Sequence, residues 1–197
     1  MKGVGCARRN HSAEADDVIR PVPEGYRAVT SWIISRDTAR LLDFVKEAFG
    51  AEEIARVPNE GGTIGHAEFR IADSIVMAFD AKEGWPDTPG FFRLYVEDGD
   101  AVYRRALEAG AVSVTEMTDL FFGDRVGRVR DPQGNVWWIQ ARVEEVDPEE
   151  MEKRAGEKEY VDAMHYVQES LDRELSGRSR RQDRIRPMTN HAERSPE

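Results

Sequence analysis

An internal repeat restricts the fold of this chain more than any other feature of its sequence. Gly50 and Gly110 each follow a helical pattern, and they are 60 residues apart. Glycine is common directly after a helix because it adopts positive φ without steric cost. Each half then closes with two strand-like segments joined by a tight turn, at residues 72–73 and 131–134. The repeat therefore favours two copies of a β-α-β-β-β unit over one irregular domain.

The two modules are predicted over residues 26–80 and 91–142, inside one α+β domain that spans residues 23–146. In the first module we expect a strand, a helix and three strands at residues 26–34, 37–49, 52–57, 63–71 and 74–79. In the second module the same elements are expected at residues 91–96, 100–109, 112–117, 126–130 and 135–142.

The two ends of the chain differ from its middle. Residues 1–22 and 176–197 are polar and without periodicity, so they are expected to be disordered tails. Residues 147–175 form a charged helix candidate, in which Asp147 suits the N-cap and Pro148 the first turn. Its apolar stripe consists of Tyr160, Met164, Val167, Leu171 and Leu175. Such a helix either packs on its own domain or a second subunit, or binds in a groove of another protein.

Composition excludes several classes of partner and site. With 40% hydrophobic residues the chain can form a core, and its net charge of −10 argues against duplex nucleic acid or an anionic membrane as partner. Cys6 is the only cysteine, which excludes an intrachain disulfide and a cysteine-based metal site. The sequence has no apolar run of membrane-spanning length and no signal-peptide pattern, so a cytoplasmic protein is expected.

Four phrases carry a resemblance to a known family: LLDFVKEAFGAEE, GHAEFRIADSIVMAFD, LYVEDGDAVYRRALEAGA and GDRVGRVRDPQGNVWWIQ. In this order they resemble the vicinal oxygen chelate superfamily, which includes glyoxalase I, bleomycin-resistance proteins and extradiol dioxygenases. The closest likeness is to its PhnB-like branch, and it covers about residues 26–150. The resemblance implies paired β-α-β-β-β modules whose curved mixed sheet encloses a cavity, with a C-terminal helix added, often in a homodimer.

The metalloenzymes of this family bind a divalent ion through four side chains, usually His or Glu, on the first and last strands of each module. The resemblance places these positions at Thr30, Met77, Phe91 and Trp138, and the repeat relates both pairs by the same offset of 61 residues. A divalent ion needs carboxylate, imidazole or thiolate ligands, and none of the four residues supplies one. We therefore expect no metal and no cofactor.

Trp137 and Trp138 are adjacent on the last predicted strand, so they point to opposite faces of the sheet. The alternation in the family directs Trp137 toward the helices and Trp138 into the cavity. There, Trp138 either forms a stacking wall for a ligand or fills a collapsed cavity. Asp124 and Arg125 either close over the cavity mouth or form a satisfied loop pair. The same parity gives an aromatic lining, typical of small-molecule sites: Thr30, Trp32, Met77, Phe79, Phe91, Arg93, Tyr95, Trp138 and Gln140.

Three polar residues could give this cavity its chemistry. Arg93 is suited to a carboxylate or phosphate, and His66 or Glu68 to moving a proton. Structural alternatives remain open for each: Glu68, Arg70 and Arg93 could pair across neighbouring strands, and His66 could lie in solvent at a strand end.

Three functions follow from these residues. The first is a metal-free protein that binds a small aromatic or amphipathic molecule, as resistance proteins do by sequestration. The second is a metal-independent lyase or isomerase with His66 or Glu68 as acid or base. The third, a metalloenzyme with displaced ligands, has the least support because two side chains on one strand do not complete a metal site.

Overall fold

The computed structural model describes residues 19–185, with side chains described through residue 177. The first module contains β1 (Ser31–Ser35), α1 (Thr38–Phe49), β2 (Glu52–Pro58), β3 (Ile64–Ile71) and β4 (Ser74–Asp80). The second contains β5 (Phe91–Tyr95), α2 (Gly99–Glu108), β6 (Val112–Asp119), β7 (Asp124–Arg130) and β8 (Val136–Arg142). Helices α3 (Pro148–Ala155) and α4 (Lys158–Ile185) follow. Most of the two predicted tails lies outside the described residues.

The predicted repeat is confirmed by the sheet topology. The first sheet has the strand order β1-β4-β3-β2, and the second has the equivalent order β5-β8-β7-β6. In each sheet the first and last strands of the module pair in parallel, and the other pairs are antiparallel. A parallel pair needs a crossover connection, which α1 and α2 provide.

The ends of these helices follow from the local sequence. Asp37 and Asp98 are the N-caps of α1 and α2, and their carboxylates accept hydrogen bonds from the backbone N–H groups three residues later. Gly50 ends α1 with a φ of 68°, and Gly110 follows α2 with a φ of 97°. Both glycines therefore occupy the left-handed conformation that the repeat predicted for them.

The core lies between the two sheets. Helices α1 and α2 pack against each other, and one cluster of buried side chains joins them to the helix-facing sides of both sheets. Within the described residues, no strand of one sheet neighbours a strand of the other. The opposite sides of the sheets are therefore two separate surfaces. The "first face" belongs to the first sheet and carries Trp32, His66, Glu68, Met77 and Phe79; the "second face" belongs to the second sheet and carries Phe91, Arg93, Arg128, Trp138 and Gln140.

The C-terminal region differs from the single helix predicted over residues 147–175. Asp147 is the N-cap of α3, as expected, but this helix ends at Gly156, a poor helix former whose N–H closes the last turn on the carbonyl of Lys153. Helix α4 then continues to Ile185, beyond the predicted boundary at residue 175. Its stripe packs on the second face through Met164 and Val167, so the helix covers its own domain. None of the helices in the described residues is long and apolar enough to cross a membrane.

Candidate functional site

Trp137 points toward the helices, as the family resemblance implied. It is 1% exposed, and its ring stacks on Phe92 with 4.6 Å between ring centroids and contacts Phe49 at 4.8 Å. Its indole Nε1 donates a hydrogen bond of 2.9 Å to the buried carboxylate of Asp131. Asp131 also accepts hydrogen bonds from Asn135, at both the backbone and the side chain. Trp137 is thus a structural residue that connects the core to the turn before β8.

Trp138 points the opposite way, onto the second face, where it lies between two arginines. Arg93 on β5, Trp138 on β8 and Arg128 on β7 form one row across three neighbouring strands. The guanidinium carbons lie 4.3 Å (Arg93) and 3.9 Å (Arg128) from the indole centroid, and the ring of Phe91 meets the indole edge-on. The ring of Trp138 therefore forms cation–π contacts with one arginine from each adjacent strand.

The part of the second face on β7, together with Gln140 on β8, is buried. Arg128 is 2% exposed, and its Nη1 donates to the hydroxyl of Thr115 and to the backbone carbonyl of Val167 in α4. Burial, and to a smaller extent repulsion by Arg93, lowers the pKa of Arg128 to about 10. Gln140 donates to Asp124, and both side chains are buried.

The first face is open and aromatic. Trp32, Met77 and Glu68 form one row across β1, β4 and β3, the counterpart of the row around Trp138. Trp32 is 50% exposed, and its ring lies 5.7 Å from that of His66 and 5.5 Å from that of Phe79. A large ring held at half exposure by two other rings provides a preformed apolar surface.

A hydrogen-bonded network lies beside this ring. Glu68 accepts from the hydroxyl of Tyr26 at 2.5 Å and from Nε2 of His66 at 2.8 Å. The hydrogen bond from Tyr26, and then that from His66, holds the pKa of Glu68 below its ordinary value. An ionised carboxylate only accepts hydrogen bonds, so Nε2 is the nitrogen of His66 that donates to Glu68. The alternative in which Glu68 pairs with Arg93 is wrong, since the two residues lie on different sheets.

The four positions that hold a metal in the family do not fit one here. The hydroxyl of Thr30 donates to the backbone carbonyl of Arg27, and Met77 offers only a thioether. Phe91 and Trp138 contact each other through their rings. Across the part of the chain with described side chains, no group of three His, Cys, Asp or Glu residues could hold an ion.

Some predicted site residues lie elsewhere. Arg125 extends toward α2, where it pairs with Asp100 at 2.7 Å and with Asp119 at 3.0 Å, which favours the alternative of a satisfied residue over closure of the cavity mouth. These partners raise the pKa of Arg125, Asp100 most strongly. The remaining cavity residues divide between the first and second faces, which do not meet within one chain. Tyr95 lies on β5 and is 64% exposed.

Sequence reasoning missed two residues of these surfaces. Arg128 lies directly opposite Trp138 on the neighbouring strand, so its side chain is on the same side of the sheet. The alternation of side chains along β7 could have identified it, because Gly127 and Val129 point to the other side. Tyr26 lies before β1 and reaches Glu68 only through tertiary contact, and no local pattern indicates this role.

Comparison with known proteins agrees with the fold. A family model described as Glyoxalase/Bleomycin resistance protein/Dioxygenase superfamily matches residues 27–139, more than half of the chain. An uncharacterized protein of Mycobacterium bovis is 38% identical over 136 residues, which are 64% of this chain and 90% of that protein. An uncharacterized protein of Mycobacterium tuberculosis has the same identity, with 80% of its length covered.

Solved structures give the same result. TioX from Micromonospora sp. ML1 superposes with a TM-score of 0.50 and 25% identity, covering 61% of this chain and 100% of TioX. Protein PA1353 from Pseudomonas aeruginosa has a TM-score of 0.50 at 18% identity, covering 59% and 98% of the two chains, which shows the fold alone. The paired modules and the family match together establish that this chain belongs to the glyoxalase/bleomycin resistance protein/dioxygenase superfamily.

Proposed function

We propose that this protein binds a small aromatic or amphipathic molecule without a metal, as a sequestering protein would. The observation that carries the proposal is the open first face, where Trp32 is 50% exposed between the rings of His66 and Phe79. Small-molecule sites commonly combine such an apolar surface with a few fixed polar groups, and the pair of Glu68 and Tyr26 supplies them. The residue types at the four metal positions support binding that needs no ion.

A second candidate function is metal-independent proton transfer by His66. The 2.8 Å contact with Glu68 fixes the ring next to Trp32, so a ligand stacked on Trp32 would lie beside the imidazole. An imidazole oriented by a carboxylate is a common general base. Glu68 itself is less suited to this role, because its hydrogen bonds favour the ionised and already satisfied carboxylate.

Ligand discovery followed by variants at Trp32 tests the proposal. A thermal-shift screen and native mass spectrometry on the full chain would identify ligands, and titration would measure their affinity. Trp32→Ala should weaken binding by about tenfold or more, because about 1–3 kcal/mol of apolar contact is lost, whereas Trp32→Phe should keep most of it. Val112→Ala changes an exposed apolar residue on β6 and serves as the control. Unchanged affinity in Trp32→Ala would overturn the proposal.

The two candidate functions separate at His66. His66→Gln keeps a polar side chain of similar reach, so a pure binding protein should retain its affinity within about threefold. An enzyme should instead lose turnover of the identified ligand while still binding it.

A further inference from the structure

Helix α4 covers the second face with an apolar seam. Val167 is 3% exposed and packs with Leu120 and Val126, while Met164 and Trp138 lie against the same cluster. Phe91 and Arg93 on β5 stay exposed at the side of the face that the helix does not reach. The seam therefore covers only part of the surface that corresponds to the first face.

Polar contacts hold α4 in this place. Thr115 and Ser170 share a buried hydrogen bond of 2.7 Å, and Arg130 pairs with Glu174 at 3.0 Å. The N–H of Glu116 donates to the hydroxyl of Tyr166 at 2.9 Å. The apolar cluster beneath α4 is separate from the cluster that joins α1 and α2 to the two sheets, so the main core does not depend on residues of α4.

The polar groups beneath α4 are incompletely satisfied. Five buried side-chain nitrogen or oxygen atoms lack a hydrogen-bond partner in the described part of the chain, and four of them lie on this face. They are Nε of Arg128, Oδ1 of Asp124, Nε1 of Trp138 and Oε1 of Gln140. Nε of Arg128 and Nε1 of Trp138 are donors, whereas the two oxygens are acceptors. Buried polar atoms are almost always paired, so the two unpaired donors beside the indole ring of Trp138 indicate a missing acceptor.

Charge indicates what that partner is. Arg128 is 2% exposed, yet among the residues that the structure describes its hydrogen bonds are accepted only by the hydroxyl of Thr115 and the carbonyl of Val167, both of them neutral. The positive charge that acts on Arg128 is that of Arg93, which lies over the same indole ring of Trp138. No carboxylate of the described residues forms an ion pair with Arg128, so the two neighbouring guanidiniums form a clamp suited to a carboxylate or phosphate.

We infer that the second face is a binding site for the anionic group of a small aromatic molecule, and that α4 occupies this site as an internal competitor. The carbonyl of Val167, 2.7 Å from Nη1 of Arg128, takes the place of a ligand oxygen. The inference goes beyond the proposed function, because the second face does not meet the first face within one chain and forms a site of its own. Because helix and ligand exclude each other, any change that weakens docking of α4 strengthens ligand binding by the same factor.

The first test uses phenyl phosphate, with phenol as its uncharged counterpart, in calorimetric titrations of the full chain. Phenyl phosphate should bind at least about tenfold more tightly than phenol, as hydrogen bonds between charged groups allow. Arg128→Gln should remove this preference. Arg93→Gln should reduce the preference for phenyl phosphate, and Arg93 is exposed, so this change should not impair folding. Arg36→Gln is the control: it removes the same charge from an exposed ion pair with Asp87 and should leave the preference unchanged. Equal binding of phenyl phosphate and phenol would overturn the inference.

The second test addresses α4. Ser170→Ala removes one contact of the helix and should raise the affinity for phenyl phosphate by about three- to tenfold, since one buried hydrogen bond contributes about that much to docking. Saturating phenyl phosphate should also accelerate amide hydrogen exchange across residues 163–175. Slower or unchanged exchange would show that the helix is not a competitor and would overturn the inference.

Discussion

Alanine substitution at Trp137 and Trp138 removes the same side chain from adjacent positions with different surroundings. Trp137 is buried in the core, and Trp137→Ala leaves a cavity between Phe49 and Phe92. Such large core truncations destabilise by about 3–5 kcal/mol. The lost hydrogen bond adds about 1 kcal/mol rather than more, because Asp131 keeps its donors from Asn135. The expected loss is therefore about 4–6 kcal/mol.

Trp138→Ala should destabilise the fold less. Its ring is partly exposed, so its removal forfeits mainly the contact with the buried guanidinium of Arg128, worth about 2 kcal/mol, and about 1 kcal/mol of apolar contact with α4. The expected loss is about 2–3 kcal/mol. In a domain of this size each kcal/mol lowers Tm by about 2–4 °C, so the two variants should melt at clearly different temperatures.

Urea unfolding and thermal melts of both variants measure this difference without any ligand. Trp137→Phe is the matched control: it keeps the stacked ring, loses the N–H, and should cost about 1–2 kcal/mol. If Trp138→Ala is as destabilising as Trp137→Ala, the second face is part of the core, and its assignment as a ligand surface loses its main support.

Three further predictions concern metal, acid and assembly. Elemental analysis after purification without a chelator should find no divalent metal near one equivalent per chain. One equivalent of metal, with function lost on chelation, would contradict the expectation that the four positions form no metal site. The lowered pKa of Glu68 means that its contribution to stability is present above its ordinary value of 4.5 and is lost as the pH falls below it. Tyr26→Phe should therefore lower the free energy of unfolding at neutral pH and lower it less under acidic conditions, where Glu68 becomes protonated. Urea unfolding at both pH values measures this difference, and an equal loss at both would refute the reasoning. A homodimer is expected in ultracentrifugation, since Trp32 and Phe91 are half exposed in one chain. Truncation after Asp147 tests the contribution of α3 and α4. A full-length monomer at micromolar concentration would contradict the dimer.

The open first face and the covered second face have equivalent places in the two modules, yet they differ in chemistry. The row on the first face consists of Glu68, Met77 and Trp32, and the row on the second consists of Arg128, Trp138 and Arg93. One row thus centres on an ionised carboxylate and the other on two cations. If two chains pair as members of the family commonly do, a first face of one chain opposite a second face of the other would bring complementary charges together.

The sequence by itself determined the repeat, the helix caps and the opposite directions of Trp137 and Trp138. These features depend on local rules: a glycine after a helix, an aspartate before one, and the two-residue period of a strand. The sequence also showed that Thr30, Met77, Phe91 and Trp138 carry none of the usual metal-ligand side chains, because a ligand is defined by its donor atoms wherever it lies.

Only the tertiary structure decided which surface is open. The apolar stripe of α4 predicted that the helix packs on some surface, but an apolar stripe fits any apolar surface. The place where α4 packs depends on its hydrogen bonds with Thr115 and Arg128, which are far away in the chain. The bond between Tyr26 and Glu68 likewise joins residues 42 positions apart. The division of the predicted lining between two faces has the same origin, since local periodicity fixes the side of a strand on which a residue lies but not what covers that side.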